Sequence, residues 1–266
     1  MKTGITQIIL GDASLEETLE LCAAAGHEAL ELVFSETKDD LNIGMGPDEL
    51  QGVKERCAAA GVEISSAIAW YADRGNLLSR DPGQREQGLK SLLRSLEIAA
   101  KLQAGAVLLH PGQLGPEGTY EEAWNDLRDM LKDAAGAAER LQTAIGVENV
   151  WNKFLLSPYE ARRFIDEVGS PWVGLYLDTA NMMAYGHPEH WIRGLGRRIV
   201  RVHFKDFKRR EHRFVNLGDG DTDWPVVMAE LRAAGYTSTL IHEVGGDRET
   251  LIEMGRRMRR IVEGKV

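Results

Sequence analysis

The chain has 266 residues and a net charge of −9 at pH 7, with a pI near 5.4, so it can bury one large core and is too acidic for a broad nucleic-acid-binding face. Its two cysteines, Cys22 and Cys57, sit beside alanines in expected helices and read as small core residues, not as a disulfide or a metal pair. The opening MKTGITQIIL meets Gly11 and Asp12 too soon for a secretory signal, and no apolar run is long enough to cross a bilayer, so the expectation is a soluble, cytoplasmic protein without a membrane partner.

A first strand is expected over residues 3–10, ended by Gly11. Ser14 followed three residues later by Glu17 is a capping box, and the helix it opens should stop at Gly26. The run ALELVF marks a second strand ending at Phe34. Pro47 opens a helix closed by Gly61, and a third strand covers residues 62–68. A longer loop with Trp70, Tyr71, Asp73 and Arg74 follows. Pro82 starts a helix to Leu102, in which Leu89, Leu92, Leu93, Leu96 and Ala100 recur at helical spacing. The fourth strand, residues 106–109, runs into His110-Pro-Gly. A helix over 120–141 leads to a short fifth strand, 144–147, with Glu148 at its exit. Pro158 begins the next helix. Strands over 173–177 and 199–204 are followed by a polar loop from Asp206 to Asp223. A helix from Trp224, a strand over 239–242 with Glu243 at its exit, and a helix over 247–260 complete the chain.

These are eight strand–helix units with no linker, no repeat and no composition shift, which predicts one domain, residues 1–266, folded as a (β/α)₈ TIM barrel. An open doubly wound sheet is the alternative, but the first helix has no GxGxxG approach. In a barrel the C-terminal strand ends converge on one mouth. Glu148, Asp178, His203 and Glu243 stand at four successive exits, the fifth to the eighth. Three carboxylates and one imidazole suit a single divalent cation, Mn²⁺ first, with Mg²⁺, Co²⁺ or Zn²⁺ as alternatives. Without a cation, carboxylates gathered there would raise one another's pKa. Around His203, Val200, Val202 and Phe204 share one parity and Arg201, His203 and Lys205 the other.

The segments LYLDTANMMAYG, IVRVHFKDFK and NLGDGDTDWPVVMAELRAAGYTSTLIHEV resemble the xylose-isomerase-like TIM-barrel superfamily of sugar phosphate isomerases and epimerases. The likeness covers nearly the whole chain, is strongest from Val147 to Glu243, and locally is nearest the L-ribulose-5-phosphate 3-epimerase and ketose 3-epimerase type. The superfamily also holds hydroxypyruvate isomerase, inosose dehydratase and the endonuclease IV type. The resemblance implies metal ligation by Glu148, Asp178, His203 and Glu243. It also implies epimerisation or isomerisation of a ketose or ketose phosphate. One of Glu148 and Glu243 removes a proton next to the carbonyl to give a cis-enediolate, and the other returns it from the opposite face. An inosose-type dehydratase on the same site and a non-catalytic sugar-binding barrel are the alternatives. A small sugar or sugar phosphate is the expected partner, with no nucleic acid and with homo-oligomerisation left open.

Two departures bear on the substrate. Free-ketose epimerases of this kind carry a further Glu at about Phe154 or Leu155, and a His where this chain has Asn181, which favours the phosphate-sugar branch. His110 within HPG resembles the DNA-repair branch, whose other histidine ligands are not evident. Candidate substrate contacts are Asn181, Lys205, His110, Trp70, Trp151 and Arg209. For each there is a structural alternative: a turn cap for Asn181, an ion pair with Asp206 or Asp178 for Lys205, loop packing for the tryptophans, solvation for Arg209 and Arg210. His242 has the opposite strand parity to Glu243 and belongs to the shell between barrel and helices. Gly218-Asp-Gly is read as a turn that shapes the mouth.

Overall fold

The apolar runs become the staves of one closed parallel barrel in a computed structural model that describes residues 1–266. In chain order the strands are β1 (Thr3–Thr6), β2 (Ala29–Ser35), β3 (Glu63–Trp70), β4 (Ala106–Leu109), β5 (Ala144–Glu148), β6 (Val173–Asp178), β7 (Ile199–Phe204), a short pair β8 (Asp206–Lys208) and β9 (Arg213–Val215), and β10 (Leu240–His242). The closed order is β1-β10-β7-β6-β5-β4-β3-β2, with β8 and β9 apart as a two-stranded antiparallel sheet. Closure excludes the open doubly wound alternative. Outside lie α1 (Leu15–Ala25), α2 (Pro47–Ala59), α3 (Pro82–Leu102), α4 (Tyr120–Leu141), α5 (Pro158–Val168), α6 (Pro188–Leu195), α7 (Trp224–Ala233) and α8 (Arg248–Val262). No helix is long and apolar enough to cross a membrane.

Helix starts follow local chemistry. Ser14, Thr119 and Ser157 each cap a helix, and each donates its own backbone N–H to the carboxylate of a glutamate three residues on. Pro47, Pro82, Pro158 and Pro188 occupy first positions, where a missing N–H costs nothing. Leu30, Leu32 and Phe34 of β2 face the helical shell and join its large apolar core. The other parity of the strands faces inward and is partly polar. Arg201 donates to the Ser65 carbonyl and hydroxyl at 3.1 and 3.2 Å, and Glu31, Ser66, Tyr176 and His203 form the layer nearer the mouth.

Two stretches differ from the expectation. The first strand ends at Thr6 and residues 7–9 form a 3₁₀ turn, because Gln7 turns its amide inward to Val33 N–H and the Thr18 hydroxyl. Second, Asp206 to Asp223 is not a plain polar loop: it holds the β8–β9 hairpin. The buried Asp206 carboxylate organises it. Oδ1 accepts from Phe207 N–H (2.9 Å) and the Thr222 hydroxyl (2.6 Å), and Oδ2 accepts from Gly218 N–H (2.9 Å), Gly220 N–H (3.1 Å) and the Trp224 indole (3.2 Å). A Cβ on Gly220 would collide with that carboxylate, and Gly218 has φ +85°, so both glycines of the GDG turn are required by the wrap around Asp206.

His242 lies in the shell, as its parity implies, fully buried with its ring 5.0 Å from that of His27. Neither nitrogen of His27 has a hydrogen-bond partner. Burial, aided by the Arg259 charge, lowers His27 to about 4. The unfolded chain therefore binds a proton here, near pH 6.5, that the folded chain refuses until about 4, so stability falls as pH drops through that window and levels off below it. A shift of this size corresponds to on the order of 3 kcal/mol. We expect His27→Leu to flatten the pH dependence of urea-unfolding free energy between pH 6.5 and 4 by about one proton's worth of slope. An unchanged slope would contradict the assignment.

Candidate metal centre and active site

The four expected ligands meet. Glu148 and Asp178 are the last residues of β5 and β6, His203 is the penultimate residue of β7, and Glu243 follows β10. One ligating atom from each lies within 4.8 Å of all the others. Strand register sets this, since Asp178 is paired with His203 across β6 and β7. Ligand atoms about 2.1 Å from one ion stand at most about 4.2 Å apart, so sub-ångström side-chain shifts would close the set on a cation.

Asp178 and His203 are each aimed by neighbours that take up the atom not offered to the cluster. Asp178 Oδ1 accepts from Ala180 N–H (2.8 Å) and Asn181 N–H (2.6 Å). Its buried Oδ2 accepts no hydrogen bond and has only the Lys205 ammonium, 3.4 Å away. Such an orphaned oxygen, facing two glutamates and an imidazole, is the chemistry of a donor set for a divalent cation. Asn149 fixes the end of β6 by exchanging two bonds with the Asp178 backbone, at 2.9 and 3.0 Å. Thr179 ties the DTAN turn to the HFKD strand end: its hydroxyl donates to the Lys205 carbonyl (2.8 Å) and accepts from Lys205 N–H (3.1 Å).

The sequence reasoning missed Glu31. This buried residue of β2 accepts from the Thr6 hydroxyl on Oε1 and from the Ser66 and Tyr176 hydroxyls on Oε2, each at 2.7 Å, while His203 Nε2 lies 3.1 Å from Oε1. With Nε2 donating to Glu31, Nδ1 is the nitrogen offered to the cluster, 3.4 Å from Glu148 and 3.1 Å from Glu243. The signal lay in the run ALELVF, where an acid in mid-strand must face a barrel interior. Burial would raise the Glu31 pKa, but His203 and the hydroxyls outweigh it and hold the carboxylate below its usual range.

The two glutamates at the mouth differ electrostatically. Burial pushes Glu148 up to about 7, and the pull of His203 offsets it only in part. Glu243 is desolvated too, but His203 and Lys205 hold it at about 2. Lys205 Nζ lies 2.8 Å from Glu243 and 3.4 Å from Asp178, so of its two expected ion-pair partners it takes Asp178 and not Asp206. Burial would lower the lysine's pKa, but these carboxylates raise it above its ordinary value.

A cavity of about 560 Å³ opens above the cluster, and Glu148, Glu243, Lys205, Asn181, His110 and Trp70 are among its lining residues. Asn181 uses its side-chain N–H on the Asn149 carbonyl (3.0 Å), and its amide oxygen accepts no hydrogen bond. His110 Nδ1 accepts from Gly112 N–H. Trp151 also lines the cavity, donates to the Asn181 carbonyl at 2.6 Å, and stacks on His212 beside Phe207 and Phe214 of the hairpin. Arg209 does not join them. Its guanidinium donates to the Met183 carbonyl (2.7 Å) and lies 3.3 Å from His187 in a separate groove, and its backbone N–H donates to the Asp221 carboxylate (2.8 Å). Arg209 thus does not line the cavity that holds the other candidate contacts.

The family described as xylose isomerase-like TIM barrel matches residues 19–261. The chain belongs to that family. L-ribulose-5-phosphate 3-epimerase UlaE of Shigella flexneri serotype 5b (strain 8401) is 26% identical over 235 residues, covering 86% of this chain and 81% of its own. Among solved structures, a D-tagatose 3-epimerase-like protein superposes with a TM-score of 0.83 at 20% identity, covering 100% of this chain and 98% of its own. An L-ribulose 3-epimerase superposes with a TM-score of 0.82 at 21% identity, covering 99% and 95%. At these identities the structures establish the barrel fold. Family membership together with the four-ligand cluster makes the chain a metal-dependent enzyme.

Glu31→Gln keeps the shape but weakens the acceptor that orients His203. It should lower Mn²⁺ affinity about 10- to 100-fold, read by calorimetric titration, with far-ultraviolet circular dichroism unchanged. Undiminished affinity in a folded variant would remove Glu31 from the positioning role.

Proposed function

We propose that this chain is a divalent-metal-dependent epimerase or isomerase of a ketose or ketose phosphate, with Mn²⁺ as the preferred ion, and that it serves carbohydrate metabolism. The observation that carries the reading is the pair of glutamates, Glu148 and Glu243, set in one cavity on a four-residue cluster able to hold a cation. Similarity to a relative named L-ribulose-5-phosphate 3-epimerase supports the substrate class.

Glu148, Asp178, His203 Nδ1 and Glu243 would hold the ion. A divalent cation there supplies a Lewis acid for a carbonyl and a neighbouring hydroxyl oxygen, acidifying the intervening C–H. The chain's own residues do the rest. Inverting a carbon needs proton removal on one face and delivery on the other, which one carboxyl group cannot do from a single position. Glu243, beside Lys205 and His203, is suited to accept the proton from one face, and Glu148, across the cluster, to deliver one to the other face after taking it up from solvent. Lys205 balances the charge that changes hands, its ammonium 2.8 Å from Glu243. Asn181 and His110 offer polar contacts to the remaining hydroxyls, and Trp70 and Trp151 cover an apolar face of the sugar.

Mn²⁺-loaded protein incubated in D₂O with L-ribulose 5-phosphate and related ketoses should incorporate one deuteron next to the carbonyl, read by mass spectrometry, with product of unchanged formula. Glu148→Gln and Glu243→Gln, each still holding metal, should slow incorporation about 10²- to 10⁴-fold. Full exchange in either metal-loaded variant would sink the two-glutamate assignment, and loss of water from the product would replace the epimerase by a dehydratase.

A further inference from the structure

The cavity has a second charged end. Of its lining residues only Lys205 and Arg74 carry a permanent positive charge. Lys205 is engaged by Asp178 and Glu243. Arg74, in the loop after β3, has no carboxylate within ion-pair distance and its side chain makes no hydrogen bond to the protein. Its guanidinium lies over the Trp70 ring, with the central carbon 3.8 Å from the ring centroid. The ring contact holds the group at the cavity wall and leaves its N–H donors free to grip an anion in two-pronged fashion.

Arg74 is exposed to solvent, and no protein group of the surrounding loop takes up those donors. The adjacent acid, Asp73, is occupied by Gly75 N–H (3.0 Å) and the Gln84 amide (3.3 Å). Asn76 donates to the Gln113 carbonyl (2.8 Å) and accepts from Leu78 N–H (2.9 Å). The Asp73 carbonyl is held by the Gln87 amide, so α3 anchors the loop from below. His110 stands between the two ends: burial lowers its pKa, Arg74 lowers it further and Glu243 raises it, so both charges reach the ring. The cavity thus offers carboxylates and a candidate metal set at one end and an unpaired guanidinium, held over Trp70, at the other.

We propose that Arg74 anchors a negatively charged terminal group of the substrate, phosphate or carboxylate, and so makes the enzyme selective for an anionic ketose over its neutral parent. This rests on the epimerase reading above for the identity of the carbon chain, and on the cavity alone for the anion subsite. Tight recognition of a phosphate or carboxylate by a stacked guanidinium is worth on the order of ten- to a hundred-fold in affinity.

The test uses full-length Mn²⁺-loaded protein, wild type, Arg74→Gln and Arg74→Lys, with three ligands: a ketose, its terminal phosphate, and the corresponding keto-acid with a terminal carboxylate. Calorimetric binding and deuterium exchange are measured for each. The expected result is that wild type binds one or both anions on the order of ten- to a hundred-fold more tightly than the neutral ketose. Arg74→Gln should erase that ratio mainly through KM, and Arg74→Lys should recover part of it. The phosphate and carboxylate arms show which anion is the natural one. Equal affinity for anionic and neutral ligands in wild type, or an anion preference that survives in Arg74→Gln, would overturn the proposal. If the anion preference depends on Arg74 but no ligand exchanges deuterium, the subsite stands and the epimerase reading falls. If exchange proceeds with no preference for charge, the epimerase reading stands and the subsite falls.

Discussion

The bond from His203 to Glu31 is the constraint on which the mouth of the barrel depends. Four buried or nearly buried carboxylates, Glu31, Glu148, Asp178 and Glu243, surround one imidazole, and the only other positive group among them is Lys205. Burying that much negative charge is costly unless each carboxylate is hydrogen-bonded or paired. Glu31 is satisfied by three hydroxyls and the His203 ring, and so serves as a fixed anchor. The other three have atoms left over, and those atoms converge. A divalent cation is the economical answer to such a cluster, since it neutralises charge without requiring the carboxylates to take up protons.

Charge compensation also explains why the strand ends are so heavily cross-tied. Asn149 holds the backbone of Asp178, Thr179 holds that of Lys205, and Asp206 wraps the next loop around itself. Each bond removes a degree of freedom from a ligand or from the wall of the cavity, and ligands locked in this way lose less entropy on binding a cation. The hairpin that Asp206 supports brings Phe207 and Phe214 beside Trp151, giving one flank of the mouth an aromatic surface.

Much of this was legible in the sequence. The barrel followed from apolar runs alternating with capped, amphipathic helices, and Pro82–Leu102, Tyr120–Leu141 and Ile199–Phe204 fall at the expected bounds. The four candidate ligands could be singled out because each polar group stands at the exit of an apolar run, where burial has to be explained. Glu31 was hidden because one acid inside ALELVF reads as an ordinary alternating strand until the barrel closes and makes its inner face an interior. Arg209 misled because a charged loop residue has no periodicity to fix its direction, and the bond from Asp221 to its backbone is a tertiary fact. The β8–β9 hairpin was invisible for a related reason: two three-residue strands have too little pattern, and their register depends on the Asp206 carboxylate.

The central claim is that these residues form one mononuclear site. A crystal of the full chain grown with Mn²⁺, with anomalous diffraction recorded at the manganese edge, tests it most directly. A single strong peak is expected, with Glu148, Asp178 and Glu243 carboxylate oxygens and His203 Nδ1 at about 2.0–2.3 Å and Glu31 still bound to Nε2. A peak elsewhere, two metals in the cluster, or an ion that leaves out Glu148 or Glu243 would contradict it.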